Sequence, residues 1–280
     1  MTPAYRPQQK IEVALVLSGG GAKGFAHVGA IEALESEGIP IDLIVGTSAG
    51  SIVGAFYADY QDSERVYDKL LKLDTWDVID ISMDHTFKSF YEPIAPASGL
   101  ALENFLYDNL SSQFLEDLAI PFVAVSADLL SEKTVAITSG PIGPAVHASS
   151  AAPPVITPVF GYGGILVDGA VTMPVPVEIA RQYNPKILIS IDISSSEKNT
   201  PIYNIYDIAN KSLSLMYYTF ARTQSQAADV DIHPDLGKFH FFDGTRKIEL
   251  YDYGYYSTME FIPKIKKLMR DRGIALKKIK

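Results

Sequence analysis

The sequence predicts an α/β protein in three layers, a mostly parallel central sheet covered by helices on both faces. Two observations carry that prediction. Apolar runs of strand length alternate with helix-length runs along most of the chain, the pattern of strand–helix–strand units. No linker, repeat or low-complexity stretch cuts the 280 residues, and with 47% of them hydrophobic they can close one large core.

The elements follow in order. An apolar strand over 12–18 ends in Ser18-Gly19-Gly20-Gly21-Ala22-Lys23-Gly24, and a helix over 24–37 follows. A second apolar strand over 42–47 runs into Gly46-Thr47-Ser48-Ala49-Gly50 and a helix over 50–60. Helices over 62–73 and 100–113, strands over 120–128 and 133–138, and a helix over 141–149 form the middle. A strand over 164–168 ends in Asp168-Gly169-Ala170. Helix 174–183, strand 186–192, helix 204–227 and strand 229–233 complete the alternation. Catalytic loops are expected at the carboxyl ends of adjacent strands, as this architecture favours. Residues 75–99, with Trp76, Phe87, Phe90, Tyr91 and two prolines, are the least regular stretch. A core-covering loop is expected there, with a mobile apolar lid as the alternative.

Three strand ends carry chemistry. The G-x-S-x-G stretch has the form of a nucleophile elbow: Ser48 sits on a sharp strand-to-helix turn, and Gly46 and Gly50 let the chain turn without a Cβ clash. Consecutive glycines at a helix start leave backbone N–H groups converging on one small space, an anion site. The anion is either a phosphate or the oxyanion of acyl transfer. Gly19, Gly21 and Gly24 fit G-x-G-x-x-G, but the acidic residue for a ribose belongs at the far end of the next strand, where Ser48 stands; Asp42 lies at its beginning. A phosphate loop fails too, because Gly24 and not Ser or Thr follows Lys23. With a candidate nucleophile on the neighbouring strand, the oxyanion reading is preferred.

A serine hydroxyl needs a proton acceptor. None of His27, His85, His147, His233 and His240 stands in the context of a triad base; His147, shortly before Pro153-Pro154, is kept as a rim candidate. Asp168 stands at a strand mouth, where it can lie beside the anion loop. The ordinary alternative for Asp-Gly is a β-turn.

In this order, the glycine loop, Gly-Thr-Ser-Ala-Gly and Asp-Gly-Ala resemble bacterial patatin-like phospholipases. The resemblance continues in Ala148–Pro158 (ASSAAPPVITP), Met173–Pro176 (MPVP) and Ala228–Leu236 (ADVDIHPDL), and spans residues 11–260. It implies the patatin-like form of the fold and a Ser–Asp dyad without histidine. Ser48 is then the nucleophile and Asp168 the general base. Gly19, Gly20, Gly21, Ala22, Lys23 and Gly24 form the oxyanion loop, Gly46, Thr47, Ala49 and Gly50 the elbow, and Gly169 and Ala170 the acid loop. The implied activity is hydrolysis of lipid carboxylic esters, of phospholipase A or lysophospholipase type, through an acyl-serine. The expected partner is a phospholipid or other fatty-acyl ester. No cofactor is implied, and the scattered histidines show no metal-ligand spacing. The family's loop commonly carries arginine where this chain has Lys23, which keeps the charge but loses the planar fork. Two other classes stay open: an acyl-ester or thioester hydrolase or transferase for a soluble substrate, and a non-catalytic regulatory protein keeping the fold.

Charge is uneven. Residues 261–280 hold eight Lys or Arg against one Asp, a local +7 in a chain of net −9, so the first 260 residues carry −16. The chain is read as an N-terminal extension (1–10), a catalytic domain (11–260) and a basic amphipathic segment (261–280). In the last, Ile262, Ile265, Leu268 and Met269 share one helical face, which either docks on the body or rests on anionic lipid. The acidic body argues against nucleic acid. There is no cysteine, hence no disulfide or thiol chemistry. The first residues lack an apolar signal-like core, and no run approaches the ~20 apolar residues of a membrane span. A cytoplasmic protein is expected, with peripheral contact at the inner membrane surface as an extension of that expectation.

Overall fold

The computed structural model describes residues 10–73, 79–89, 91, 92, 94–196, 201–239 and 244–278. Eight strands form one sheet. They are β1 (Val13–Leu17), β2 (Leu43–Thr47), β3 (Phe122–Asp128), β4 (Lys133–Ile137), β5 (Val159–Gly161), β6 (Gly164–Asp168), β7 (Ile187–Ile191) and β8 (Val230–Ile232). The helices are α1 (Phe25–Ser36), α2 (Ala49–Tyr60), α3 (Ser63–Leu71), α4 (Met83–Lys88), α5 (Leu100–Asn109), α6 (Ile142–Ser150), α7 (Val177–Arg181), α8 (Ile205–Ser225) and α9 (Lys247–Asp271).

The central strands are buried on both faces, which is why they read as unbroken apolar runs. The pleat sends Val13, Leu15, Leu17 and Ile44 into a core with α1, α2, α3, α5, α6 and α9. Ala14, Val16, Leu43 and Val45 go the other way, onto Val177 and Ile179 of α7 and Ala221 of α8. Three layers result. Helix α9 lies directly on α1: a Cβ on Gly29 would stand 2.1 Å from the Tyr251 carbonyl oxygen, and one on Gly254 only 1.9 Å from that of Ala26. Only glycine permits that approach.

Strands β3, β2, β1, β7 and β8 run parallel in that spatial order. Strand β3 is longer than β2 and serves two partners along one edge. Its Phe122–Val125 pair with Ile44–Thr47 of β2, and its Ser126–Asp128 pair antiparallel with Asp168–Leu166 of β6. The opposite edge is taken by β4, which pairs with Ala124–Asp128. Strands β2 and β6 therefore point at each other along the β3 edge, and their carboxyl ends meet where Val125 gives way to Ser126.

The predicted elements are all present with shifted ends. The helix expected over 174–183 is reduced to Val177–Arg181, because Pro174 and Pro176 push the residues before them, Met173 and Val175, out of the helical region. The strand over 164–168 runs against its neighbour, as part of a hairpin with β5 that the sequence reading lacked. Of residues 75–99, Ala95 and Ala97 are buried, and Ala97 bridges to both Ile81 and Ile156. Tyr91 is fully open to solvent, and Trp76 and Phe90 lie outside the described residues.

Helix α9 runs through residue 260 without a break. Ile262, Ile265 and Met269 are buried against the body, while Lys264, Lys267 and Arg270 are exposed. Its end is tied to the strand starts: Arg272 Nη2 stands 2.8 Å from Asp229 Oδ1, and Lys186 Nζ donates to the Arg272 carbonyl and to Glu12 Oε1. The basic end thus sits at the amino edge of the sheet. Among the described residues, no helix is long and apolar enough to cross a membrane.

Candidate active site

Ser48 stands between β2 and α2 with φ 53° and ψ −123°, a conformation a side chain rarely adopts. Close backbone approaches on both sides hold it there. A Cβ on Gly46 would lie 2.5 Å from the Gly50 carbonyl oxygen, and one on Gly50 would lie 2.3 Å from that of Leu17. The Ser48 N–H donates to Ser149, to its Oγ at 3.0 Å and its carbonyl at 3.2 Å. Thr47 Oγ1 donates to the Met173 carbonyl, and the methyl of Ala49 lies against Gly24.

Asp168 closes β6 and meets Ser48 head-on. Its carboxylate accepts from the Ala170 N–H at 2.8 Å and lies beside the Ser48 side chain. It is 5% exposed, and burial pushes its pKa up to about 6 against the pull of the Ala170 N–H and Ser48. Gly169 lets the turn pass: a Cβ there would stand 2.2 Å from the Val125 carbonyl oxygen.

Three of the described histidines are engaged elsewhere. His27 is buried with Nε2 2.8 Å from the Ser18 carbonyl oxygen, and burial holds its pKa down at about 4. His147 bonds through Nδ1 to Glu103 and through Nε2 to the Thr157 carbonyl, joining α5, α6 and the segment after it. His233 bonds to the Asp192 carbonyl. His85 lies in α4, and His240 lies outside the described residues.

The glycine loop lies against both groups. A Cβ on Gly19 would be 3.3 Å from Ser48 Cβ and 3.7 Å from Ala170 Cβ. The loop then closes a 3-10 turn over Gly21–Gly24, with Gly21 at φ 59°. Its amides are not equivalent. The Gly19 N–H donates to the Pro174 carbonyl at 3.0 Å, and the Lys23 N–H to the Gly20 carbonyl at 3.3 Å. Among the described residues no backbone acceptor faces the amides of Gly20 and Gly21. Lys23 is 5% exposed, and its Nζ donates to Ser195 Oγ, which fastens the loop to the segment after β7.

Beside Ser48 opens a cavity of about 170 Å³. Gly21, Ala22 and Ala49 form one end; Ile52, Val53, Leu102 and Val155 continue it as an apolar wall. Ile79 also lines it, so the irregular 75–99 stretch contributes to its cover. Lys23 and His147 do not line it.

The structure thus brings together the loop, the elbow and the acid. Sequence reasoning missed the residues that hold them. Ser149 and Pro174 lie in stretches singled out for resemblance, without a role. Ile193 and Tyr217 carried no signal: a Cβ on Gly20 would be 2.5 Å from Ile193 Cδ1, and Tyr217 Oη donates to the Gly19 carbonyl at 2.5 Å.

Comparison with known proteins adds to this geometry. The family model described as patatin-like phospholipase matches residues 15–181. A Caenorhabditis elegans protein named patatin-like phospholipase domain-containing protein ZK370.4 is 31% identical over 220 residues, 75% of this chain and 15% of that one. The rat patatin-like phospholipase domain-containing protein 7 is 33% identical over 192 residues, 66% of this chain and 14% of its own. Lysophospholipase nte1 of Aspergillus fumigatus is 30% identical over 215 residues, 75% of this chain and 13% of its own. The chain spans only a small part of the length of these relatives. Among solved structures, VipD from Legionella pneumophila superposes with a TM-score of 0.58 at 14% identity, over 91% of this chain and 67% of that one, a likeness of fold. The family model covers more than half of the sequence, and the chain belongs to the patatin-like phospholipase family.

Proposed function

We propose that this chain is a serine hydrolase of lipid acyl esters, of phospholipase A or lysophospholipase type, acting through Ser48 and Asp168. One observation carries the reading: Ser48, held at positive φ on its turn, lines an apolar cavity and stands beside the buried carboxylate of Asp168. With its pKa at about 6, Asp168 is ionised at neutral pH and is a stronger base than a surface carboxylate. It takes the Ser48 proton as Oγ attacks the ester carbonyl. The amides of Gly20 and Gly21 stabilise the oxyanion, since those of Gly19 and Lys23 are engaged. The lysolipid or alcohol leaves with the proton returned by Asp168, and the acyl chain stays in the cavity as an acyl-serine. Water then gives its proton to Asp168 and attacks the acyl carbonyl; the bond to Ser48 Oγ breaks, Asp168 returns the proton to Ser48, and the fatty acid is released.

A lipid is favoured over a soluble ester by the apolar wall and by α8. Helix α8, whose Tyr217 touches the glycine loop beside Ser48, exposes Ile205, Ile208, Leu213, Leu215 and Met216. The basic end of α9 enters this reading only as a charge contact with anionic lipid. Its apolar face is used in the core, and it lies at the amino edge of the sheet. The proposed setting is the cytoplasmic side of a membrane; a chain without cysteine loses nothing in a reducing compartment.

The test compares a short-chain chromogenic ester with phospholipid vesicles, using wild type, Ser48→Ala, Asp168→Asn and a Leu213→Glu/Met216→Glu double variant. The reading requires that both single variants lose hydrolysis of both substrates, and that the double variant loses only vesicle hydrolysis. Asp168→Asn with most of its activity retained overturns the dyad. Equal loss on both substrates in the double variant overturns the lipid-facing role of α8.

A further inference from the structure

Tyr217 lies 198 residues from the glycine loop in sequence, on the inward side of α8, and donates to the Gly19 carbonyl oxygen at 2.5 Å. The same oxygen accepts from Ser18 Oγ at 3.0 Å, and Ser18 Oγ in turn accepts from the Ile193 N–H at 2.9 Å. The Gly19 carbonyl is therefore held by two hydroxyls, while the Gly19 N–H is held by Pro174. Little freedom is left to the peptide plane between Gly19 and Gly20.

That plane matters because it is trans: the only cis peptide bond among the described residues joins Pro153 and Pro154. In a trans peptide the carbonyl and the following N–H point in opposite directions. Fixing the Gly19 oxygen towards α8 aims the Gly20 N–H away from α8. Glycine has no side chain to resist rotation of this plane, so without an outside hold it would sample several orientations. An oxyanion donor stabilises charge only when it is already aimed before the charge forms.

We propose that Tyr217 is a positioning residue for the oxyanion site: its hydroxyl, by holding the Gly19 carbonyl, sets the direction of the Gly20 N–H towards the reacting carbonyl of the substrate. This rests on the serine-hydrolase reading above. Tyr217 suits the role chemically. Burial and the negative charges of Asp192 and Asp168 hold its pKa well above the usual tyrosine range, so the hydroxyl stays protonated and remains a donor throughout the working pH range. The contact also links the loop to the same helix that exposes Leu213 and Met216.

The experiment uses Tyr217→Phe, which removes only the hydroxyl. Active sites are first counted with an alkyl fluorophosphonate, in which Ser48 Oγ bonds to phosphorus, fluoride leaves, and the Ser48 proton passes to Asp168; the phosphoryl oxygen occupies the oxyanion position. Ester hydrolysis is then expressed per titrated site. The expected result is a fall of roughly tenfold in both kcat and phosphonylation rate, with KM within twofold, because the lost interaction acts in the transition state. A structural role alone would lower the melting temperature or the titrated fraction and leave kcat per site unchanged. Wild-type kcat per site together with a wild-type phosphonylation rate overturns the proposal. If Tyr217→Phe does not fold, Ser18→Ala is read in its place, since it removes the other hydroxyl on the same oxygen. A folded wild type that reacts at Ser48 with neither ester nor fluorophosphonate overturns the serine-hydrolase reading itself, and this proposal with it.

Discussion

Two turns leave neighbouring parallel strands at the same edge of the sheet, and they are held in opposite ways. The turn after β2 is fixed mainly at short range. Ser48 is forced to positive φ by glycine contacts within a few residues and by the strand beside it. The turn after β1 has glycines that resist little, and its orientation is imposed from far away by Pro174, Ile193, Ser195 and Tyr217. One turn stores strain in a reactive group; the other borrows rigidity for its amides. The nucleophile turn should therefore be sensitive to added atoms close by, and the glycine loop to lost contacts at a distance.

The largest effect expected from breaking this comparison is in activity. Ser48→Ala should lower kcat by at least about a thousandfold, since no other group replaces an attacking oxygen. Gly20→Ala should lower kcat by about a hundredfold with little loss of stability, because its new Cβ meets the movable end of Ile193. Gly50→Ala behaves in the reverse way. Its Cβ would meet backbone, the Leu17 carbonyl at 2.3 Å, and about 3 kcal/mol or more of stability should be lost. Ester turnover and chemical denaturation on the pair measure both axes. If Gly20→Ala melts earlier than Gly50→Ala, the proposed difference between the turns is wrong.

The next effect concerns the acid that faces the strained turn. Asp168 has its folded pKa raised to about 6, above the unfolded value near 3.8, so the folded state binds the extra proton between those values. Stability from this group falls as pH rises through that window, by about 3 kcal/mol in all. His27 works the other way. Its folded pKa of about 4 lies below the unfolded value near 6.5, so its stability is present above pH 6.5 and is lost as pH falls towards 4. The two slopes largely offset each other in wild type. Asp168→Asn should therefore be more stable than wild type at pH 7 while inactive, and should show acid destabilisation that wild type hides. His27→Gln should show the opposite slope. Melting temperature against pH for the three proteins gives the answer, and parallel curves would mean that neither group titrates as argued. For activity, kcat/KM of wild type should rise with pH through about 6 and level off above it, as the base ionises.

The same contrast explains what was legible in the sequence. The elbow is a local device, so five residues, Gly46 to Gly50, reveal it. The glycine run and Asp168-Gly169 are legible as composition at strand ends, and apolar runs alternating with helix-length segments reveal the layers. The head-on meeting of β2 and β6 is not legible, because direction in a sheet is set by pairing with β3, which no local pattern encodes. Nor is the hold on Gly19. Tyr217 is one of 16 tyrosines, and only tertiary structure distinguishes it. The C-terminal segment was legible as an amphipathic helix, but its periodicity says nothing about what covers the apolar face; Gly29 and Gly254 bring that helix onto α1.

The smallest expected effect isolates the strain itself. At φ 53° and ψ −123° a side chain costs about 1–3 kcal/mol, and glycine escapes most of that cost. Glycine also makes the unfolded chain more flexible, which removes about 0.7 kcal/mol of the gain. Ser48→Gly should thus be more stable than wild type by about 1 kcal/mol, a rise of roughly 2–4 °C in Tm for a chain of this size. Ser48→Ala keeps a Cβ and should show no such rise, although both variants are inactive. The comparison between them removes the hydroxyl from both sides and leaves only the backbone. A control in the other turn completes it: Gly20, with φ 164°, lies outside the left-handed range, so left-handed strain does not enter Gly20→Ala. If Ser48→Gly and Ser48→Ala melt together, the elbow is not strained, and the nucleophile is held by packing in the same way as the glycine loop.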